Sequence, residues 1–288
     1  MDIKKNEPMK LHTSFGIGGS AEFYAEPKNH DEFITLVKYS RDNNLELTVI
    51  GGGTNILVHD DGIRGLVIST KKMRHVEIKQ NSLVAFAGVK LSHAAELAAN
   101  AGLSGLEFAT GIPGTVGGAV YMNSGAYGKS MADVVNQVTF YDCSQDSFYK
   151  YDRFEMHYSY KTSVAQIMHD AFILCTEFTL TEKDSADIKK EMLDFNKRRL
   201  ESQPVSKRSA GSFFKRPKNN YASKLMDEAG LKGAAVGGAM VSEKHAGFVI
   251  NTGNATAKDV MDLMYVIKEK VYKMSGITLE PEVRFIGG

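Results

Sequence analysis

The chain has 288 residues, 43% of them hydrophobic and 24% charged, which is the balance of a soluble globular protein of about two lobes. Its 35 basic and 34 acidic residues leave a formal charge of +1, so nothing points to nucleic acid or to an anionic membrane surface, and an anionic ligand has to be held by local groups. No apolar run reaches the ~18 residues of a membrane span, and the start Met1-Asp-Ile-Lys-Lys-Asn6 lacks a signal peptide's apolar core.

Asn29-His-Asp-Glu32 has capping-box spacing and predicts a helix that buries Phe33, Leu36 and Val37. Leu47-Thr-Val-Ile50 predicts a buried strand running into Gly51-Gly-Gly-Thr-Asn-Ile-Leu-Val58. Short strands are predicted over 66–69, 76–78 and 83–86, and a helix from about Ser92 to just before Gly102. Further strands fall over 138–141 and 172–180, and the polar run 181–185 is the expected domain joint. Ile188, Met192 and Phe195 mark a helix that ends in Lys197-Arg-Arg199, and another helix covers 222–228. Thr256-Ala-Lys-Asp259 caps a long helix with the stripe Val260, Leu263, Ile267, Val271 and Met274, stopped by Gly276. A strand over 278–286 closes the chain. The pattern is α+β in two parts, with no internal repeat.

Cys143 and Cys175 are isolated, which suits unpaired thiols in a reducing cytoplasm. The histidines include no pair at the i, i+4 spacing of a helical zinc site, so no metal is expected. Three glycine patterns are decoys. Gly16-Ile-Gly-Gly-Ser-Ala21 fits a dinucleotide fingerprint but lacks the strand before it and the helix after it. Gly51-Gly-Gly53 follows a strand, yet Ile56 stands where the third glycine belongs. Asn123-Ser-Gly-Ala-Tyr-Gly-Lys-Ser130 nearly spells a P-loop, with Asn123 in place of its first glycine. What remains is a site outside those folds. Residues 51–55 and 111–118 can aim amides at one pyrophosphate, while Ile50, Ile56, Ile112 and Val116 wall an aromatic ring system.

Candidate chemistry lies further along. Ser212, in Ser209-Ala-Gly-Ser-Phe-Phe-Lys-Arg-Pro217, is placed to donate a proton from a dry pocket near Lys215 and Arg216, or is a turn serine bonding its own backbone. Glu280 and Glu282 flank Pro281, and strand alternation puts both on one face, as an acid in a cleft or as edge carboxylates. Lys161, in Tyr158-Ser-Tyr-Lys-Thr-Ser163, reads by itself as a solvated lysine.

Five blocks in this order are similar to those of one family: Ile50-Gly-Gly-Gly-Thr-Asn-Ile-Leu-Val58, Gly111-Ile-Pro-Gly-Thr-Val-Gly-Gly118, Gly125-Ala-Tyr-Gly128, Gly211-Ser-Phe-Phe-Lys-Arg-Pro217 and Leu279-Glu-Pro-Glu-Val-Arg-Phe-Ile-Gly287. Together they resemble the UDP-N-acetylenolpyruvoylglucosamine reductases, flavoenzymes of bacterial peptidoglycan synthesis. The resemblance runs from about His12 to Gly287 and is closest to the shorter form of the family. It implies an FAD-binding lobe of the vanillyl-alcohol-oxidase-like (PCMH) type over 1–182, with subdomains split near residue 70, and a smaller α+β substrate lobe over 183–288. It implies FAD as cofactor, NADPH as co-substrate and UDP-N-acetylglucosamine enolpyruvate as substrate, with hydride passing from NADPH to FAD N5 and on to the substrate alkene. A cytoplasmic monomer with no nucleic acid or membrane partner is expected.

By that resemblance the catalytic residues are Ser212 as proton donor, Glu282 and Lys161. The cofactor loops are Ile50, Gly51, Gly52, Gly53, Thr54, Asn55, Ile56 and Leu57, then Gly111, Ile112, Pro113, Gly114, Thr115, Gly117 and Gly118. Tyr127, Lys215, Arg216 and His245 fall near substrate. One departure stands out: Lys161 occupies the place of the family's arginine, keeping the charge and losing the flat bidentate grip on a carboxylate. A flavin or sugar-nucleotide binder that has lost catalysis is therefore the competing reading, and a different flavin oxidase on the same lobe is a third.

Overall fold

The computed structural model describes residues 2–288. The chain divides into two compact units. The first holds Ala25–Gly52 and Val67–Arg199, with the N-terminal residues up to Ile3; the second holds Lys4–Tyr24, Gly53–Leu66 and Leu200–Gly288. The Ile63–Ser69 strand runs from one unit into the other.

The first unit opens with helix α1, His30–Asp42, which buries Phe33, Leu36 and Val37 as the spacing requires. Asn29 Oδ1 accepts the Glu32 N–H at 2.9 Å, but Glu32 returns its carboxylate to the Lys28 N–H, so the reciprocal half of the capping box is shifted by one residue. Five antiparallel strands form the main sheet in the order Ser147–Asp152, Val135–Asp142, Ala171–Thr179, Ser82–Phe86 and Val76–Lys79. Leu83 and Ala85 turn inward from one strand and Val138 and Phe140 from another, the two-residue alternation of a sheet with one buried face. Helix α2, Leu91–Asn100, packs its alanine face (Ala94, Ala95, Ala98) onto this core, and the short α3 covers Val116–Tyr121. The polar run 181–185 is ordered: Thr181 pairs with Ser104, and Asp184 Oδ1 accepts the amides of Ala186 and Asp187 at the start of α4. Helix α4, Ser185–Ser202, runs past the expected stop at Arg199; only Ile188 on it is buried.

The second unit is built on a four-stranded antiparallel sheet in the order Arg208–Ser212, Phe248–Asn251, Ala239–Val241 and Ala235–Val236. Helices α5, Ala222–Glu228, and α6, Ala257–Ser275, belong to the same core. The Thr256/Asp259 capping box is complete, and Val260, Leu263, Ile267 and Val271 are buried as expected. Met274 is 45% exposed; it falls on the stripe by angle but in the last turn, beyond the buried surface. The closing strand is also shorter than the sequence suggests. Only Arg284–Ile286 is a strand, parallel to Ile56–Val58, and the residues before it are held by an isolated bridge between Phe214 and Pro281. Pro281 has no N–H to offer a ladder, and the bonds fall on either side of it: Lys215 N–H to the Glu280 carbonyl and Glu282 N–H to the Phe213 carbonyl.

Among the described residues, no helix is long and apolar enough to cross a membrane, and no group of three or more His, Cys, Asp or Glu is placed to hold a metal.

Candidate active site

In the first unit the two glycine-rich segments meet. Ile50 ends its strand buried, and Gly51 follows it directly against Thr115: a Cβ at Gly51 would stand 2.5 Å from Thr115 Oγ1 and 3.7 Å from the Gly118 amide nitrogen. Only a residue without a side chain fits that approach. Residues 114–117 are held in turn by the 87–91 segment, through Leu91 N–H to Gly114 O, Val116 N–H to Val89 O and Gly117 N–H to Ala87 O. These bonds commit the Val116 and Gly117 amides inside the protein, so a pyrophosphate would have to find other donors. One is on hand. Thr115 is 4% exposed and its Oγ1 has no hydrogen-bond partner. A buried hydroxyl without a partner costs roughly 1–3 kcal/mol; His30 Nε2, Ser69 Oγ, Tyr158 OH and Thr176 Oγ1 are unpartnered in the same way, so what sets Thr115 apart is its place against Gly51 in the glycine-rich loop. Ile112, half-buried, packs against the core beside this loop.

Residues 123–130 are no P-loop. Gly125–Ala126 and Lys129–Ser130 form a hairpin around Tyr127 and Gly128, both left-handed as a type I′ turn demands. A tyrosine with φ of 54° is strained, and it is held by its neighbours: its hydroxyl donates to Phe195 O at 2.8 Å and its ring stacks on Phe195 at 4.2 Å. Lys161 also has a positive φ, 60°, inside a turn closed by Ser159 and Thr162. Asn123 Nδ2 donates to Ser159 O, and Gln166 Nε2 donates to Lys161 O and Tyr121 O, so the backbone around Lys161 is fixed from several directions.

Gly53, Thr54, Asn55, Ile56 and Leu57 belong to the second unit, together with Ser212, Lys215, Arg216, His245 and Glu282. Leu57 is core, so its contribution is packing. Asn55 is the structural link. Its Nδ2 donates to Glu282 O at 3.1 Å and its carbonyl accepts the Arg284 N–H at 2.9 Å, which ties the residues on both sides of Val283 to the 53–57 segment. Glu282 lies opposite Phe213, one residue from Ser212, which closes the 208–212 strand. The structure thus brings Ser212 and Glu282 into one backbone neighbourhood. Ser212 itself is exposed at its strand end, not sunk in a dry pocket. Glu280 and Glu282 do not share a strand face, because no strand forms there; Glu280 is exposed and pairs with Lys215 Nζ at 2.5 Å. Arg216 lies over the Tyr221 ring at 4.6 Å. His245 Nδ1 accepts the Gly247 N–H at 3.1 Å, and burial holds its pKa below the ordinary value, so the ring is neutral with its proton on Nε2.

Two features escaped the sequence. Asn196 and Arg199, on α4, cover Gly111: an added Cβ there would meet Arg199 Cδ at 2.8 Å and Asn196 Oδ1 at 3.1 Å. In the second unit, Tyr24 OH bonds His12 Nδ1, whose Nε2 bonds Glu7, next to Ser14, whose N–H donates to the Gly53 carbonyl at 2.9 Å.

Residues 21–145, which include both glycine-rich segments, match the model of the FAD binding domain, and the protein is of the flavin-dependent oxidoreductase class. The chain belongs to the UDP-N-acetylenolpyruvoylglucosamine reductase family, whose C-terminal domain matches residues 203–286. It is 45% identical to the reductase of that name from Caldanaerobacter subterraneus over 282 residues, 98% of this chain and 93% of the relative. It is 42% identical to that of Clostridioides difficile, covering 99% and 94% of the two chains. The crystal structure of the reductase from Thermus caldophilus superposes with a TM-score of 0.84 at 32% identity, over 99% of this chain and 98% of that one. The fold expected from the sequence, an FAD-binding part followed by an α+β C-terminal part, is that of the family.

FAD is the cofactor of this family, and the residues present fit it: the cradle is one a single methyl group would close, and the hydroxyl inside it has no protein partner. Thr115→Val removes that hydroxyl at constant shape. It should leave the stability of the flavin-free protein unchanged or raise it, and weaken FAD binding roughly tenfold. Denaturant unfolding of the apoprotein and fluorescence titration with FAD measure the two effects.

Proposed function

We propose that this protein reduces the enolpyruvyl ether of UDP-N-acetylglucosamine to UDP-N-acetylmuramate for peptidoglycan synthesis, with NADPH as the electron donor. The observation that carries the reading is the meeting of Gly51 and Thr115 around an unpartnered hydroxyl, in a chain 45% identical to a relative bearing the reductase name. The reading assigns FAD binding to a lobe over 1–182, divided near residue 70, and substrate binding to 183–288. It places the enzyme in the cytoplasm as a monomer; two unpaired thiols and a formal charge of +1 support a reducing compartment and no nucleic acid partner.

Residues 50–57 and 111–118 hold the cofactor. When bound, the flavin supplies a two-electron carrier between the nicotinamide and the substrate alkene. The alkene is conjugated to a carboxylate, so reduction at its terminal carbon drives negative charge into that carboxylate. Lys161 supplies the cation that stabilises this charge, and its turn holds it ready without reorganisation. Ser212 then gives its hydroxyl proton to the adjacent carbon and recovers one from solvent, so NADPH and one proton are consumed per alkene saturated. Glu282 helps as an acid or by ordering that proton, since a bare carboxylate would repel the developing charge. Tyr127, Lys215, Arg216 and neutral His245 bind the sugar nucleotide, His245 by donating from Nε2.

The competing reading, a flavin and sugar-nucleotide binder without turnover, is favoured by Lys161 alone, where the family pattern has arginine. Catalytic turnover of NADPH with the enolpyruvyl substrate separates the two.

Ser212→Ala should still be reduced by NADPH, seen as bleaching of the flavin absorbance, while reoxidation by the enolpyruvyl substrate is lost; equal loss of both half-reactions would contradict the proton-donor role. Lys161→Arg should keep or speed reoxidation in stopped flow. A severe loss in a folded, flavin-loaded variant would show a pocket rebuilt around lysine.

A further inference from the structure

Ser212 stands at the end of a strand whose pairing gives way just before it. The Arg208–Ser212 strand lies at the edge of its four-stranded sheet and pairs with Phe248–Asn251, but the register shifts between Ser209 and Ser212, where Gly211 has a φ of 80°. An irregularity of this kind bends the strand and re-aims the side chain beside it. The direction of Ser212 therefore depends on what holds Ser209 from the open edge, where the sheet itself offers no partner.

Ser14 holds it. Its hydroxyl donates to the Ser209 carbonyl at 2.7 Å, and its N–H donates to the Gly53 carbonyl at 2.9 Å. The segment that carries Ser14 is itself fixed. Phe15 and Ile17 are buried in the core of the second unit, and Asn251 Nδ2 donates to the Phe15 carbonyl at 3.0 Å. The same segment passes Gly53 so closely that an added Cβ would collide with the His12 carbonyl oxygen.

These contacts close a ring. From Gly53 the chain runs to Asn55, whose side chain donates to the Glu282 carbonyl, and the Glu282 N–H donates to the Phe213 carbonyl at 2.8 Å. The strand leads back from Phe213 through Ser212 to Ser209, and Ser14 joins Ser209 to Gly53. Ser212 and Glu282 both lie on this ring. Without the Ser14 hydroxyl, Ser209 keeps its pairing with Ile250, but the irregular end of the strand loses its outer support.

We infer that Ser14 is a positioning residue for the proton transfer: it acts through Ser209, and by fixing that residue against Gly53 it sets the approach of Ser212 relative to Glu282. This rests on the reading of Ser212 as the proton donor.

The test compares wild type with Ser14→Ala, Ser14→Cys and Ser14→Thr as purified, flavin-loaded proteins, with NADPH and the enolpyruvyl ether of UDP-N-acetylglucosamine in stopped flow. Ser14→Ala should be reduced by NADPH as fast as wild type and keep its KM for the enolpyruvyl substrate within about twofold, while reoxidation slows roughly 3- to 10-fold. The solvent deuterium isotope effect on reoxidation should rise, because protonation becomes the slow step. Ser14→Thr keeps the hydroxyl and should restore both rate and isotope effect; Ser14→Cys, close in shape but a weak donor, should behave like the Ala variant. Circular dichroism and melting establish folding, and if the Ala variant fails to fold the Cys variant decides. Ala and Cys variants that reoxidise as wild type does, or that lose both half-reactions equally with an unchanged isotope effect, overturn the role of Ser14 alone. A wild type that the enolpyruvyl substrate does not reoxidise, or a Ser212→Ala variant that it does, overturns the reading of Ser212 instead.

Discussion

The close approach of Gly51 to Thr115 is the constraint on which the rest of the site depends. Two segments more than sixty residues apart in sequence reach a separation that excludes even a methyl group, and the hydroxyl between them is left without a protein partner. Such a hydroxyl is costly to leave unpaired, and a ligand oxygen or a water is the kind of group that would complete it. The glycines at 51 and 117 therefore serve a steric purpose first: a Cβ would stand 2.5 Å from Thr115 Oγ1 at Gly51 and 2.8 Å from Ala87 Cβ at Gly117, and the hydrogen bonds of 114–117 to 87–91 lock the approach in place.

The second unit solves a different problem, the positioning of two chemical groups on irregular backbone. Ser212 ends a strand, and Glu282 precedes one by two residues. Neither could be aimed by regular pleating. A short antiparallel clamp between 213–215 and 280–282 does it, and Pro281 sits where no N–H is required. Asn55 anchors the far side of the clamp through the Glu282 carbonyl. The asparagine of the glycine segment is thus as much a support for the glutamate's backbone as a ligand-loop residue.

Strong periodicity was readable directly. The α1 and α6 faces, the α6 cap and the inner strands of the first unit follow from apolar spacing and capping residues. What stayed hidden has physical reasons. The Ile3–Pro8 strand, Ile-Lys-Lys-Asn-Glu-Pro, is too polar to show alternation, and Ala235–Val236 and Ala239–Val241 are two- and three-residue strands, too short for a period, separated by Gly237 and Gly238. The candidate residues come from motif order, and their structural settings were not legible in the sequence. Ser212 is exposed, Lys215 is engaged by Glu280, and Lys161 is held in a left-handed turn, because such environments are set by pairings distant in sequence.

The measurement that bears most directly on the cradle is FAD affinity of Gly51→Ala, in protein shown by circular dichroism to be folded. The added methyl would stand 2.5 Å from Thr115 Oγ1, so the two segments must part. The expected result is a pale or colourless protein whose FAD dissociation constant rises at least roughly tenfold. A variant that purifies yellow, with stoichiometric flavin held as tightly as in wild type, would contradict the account.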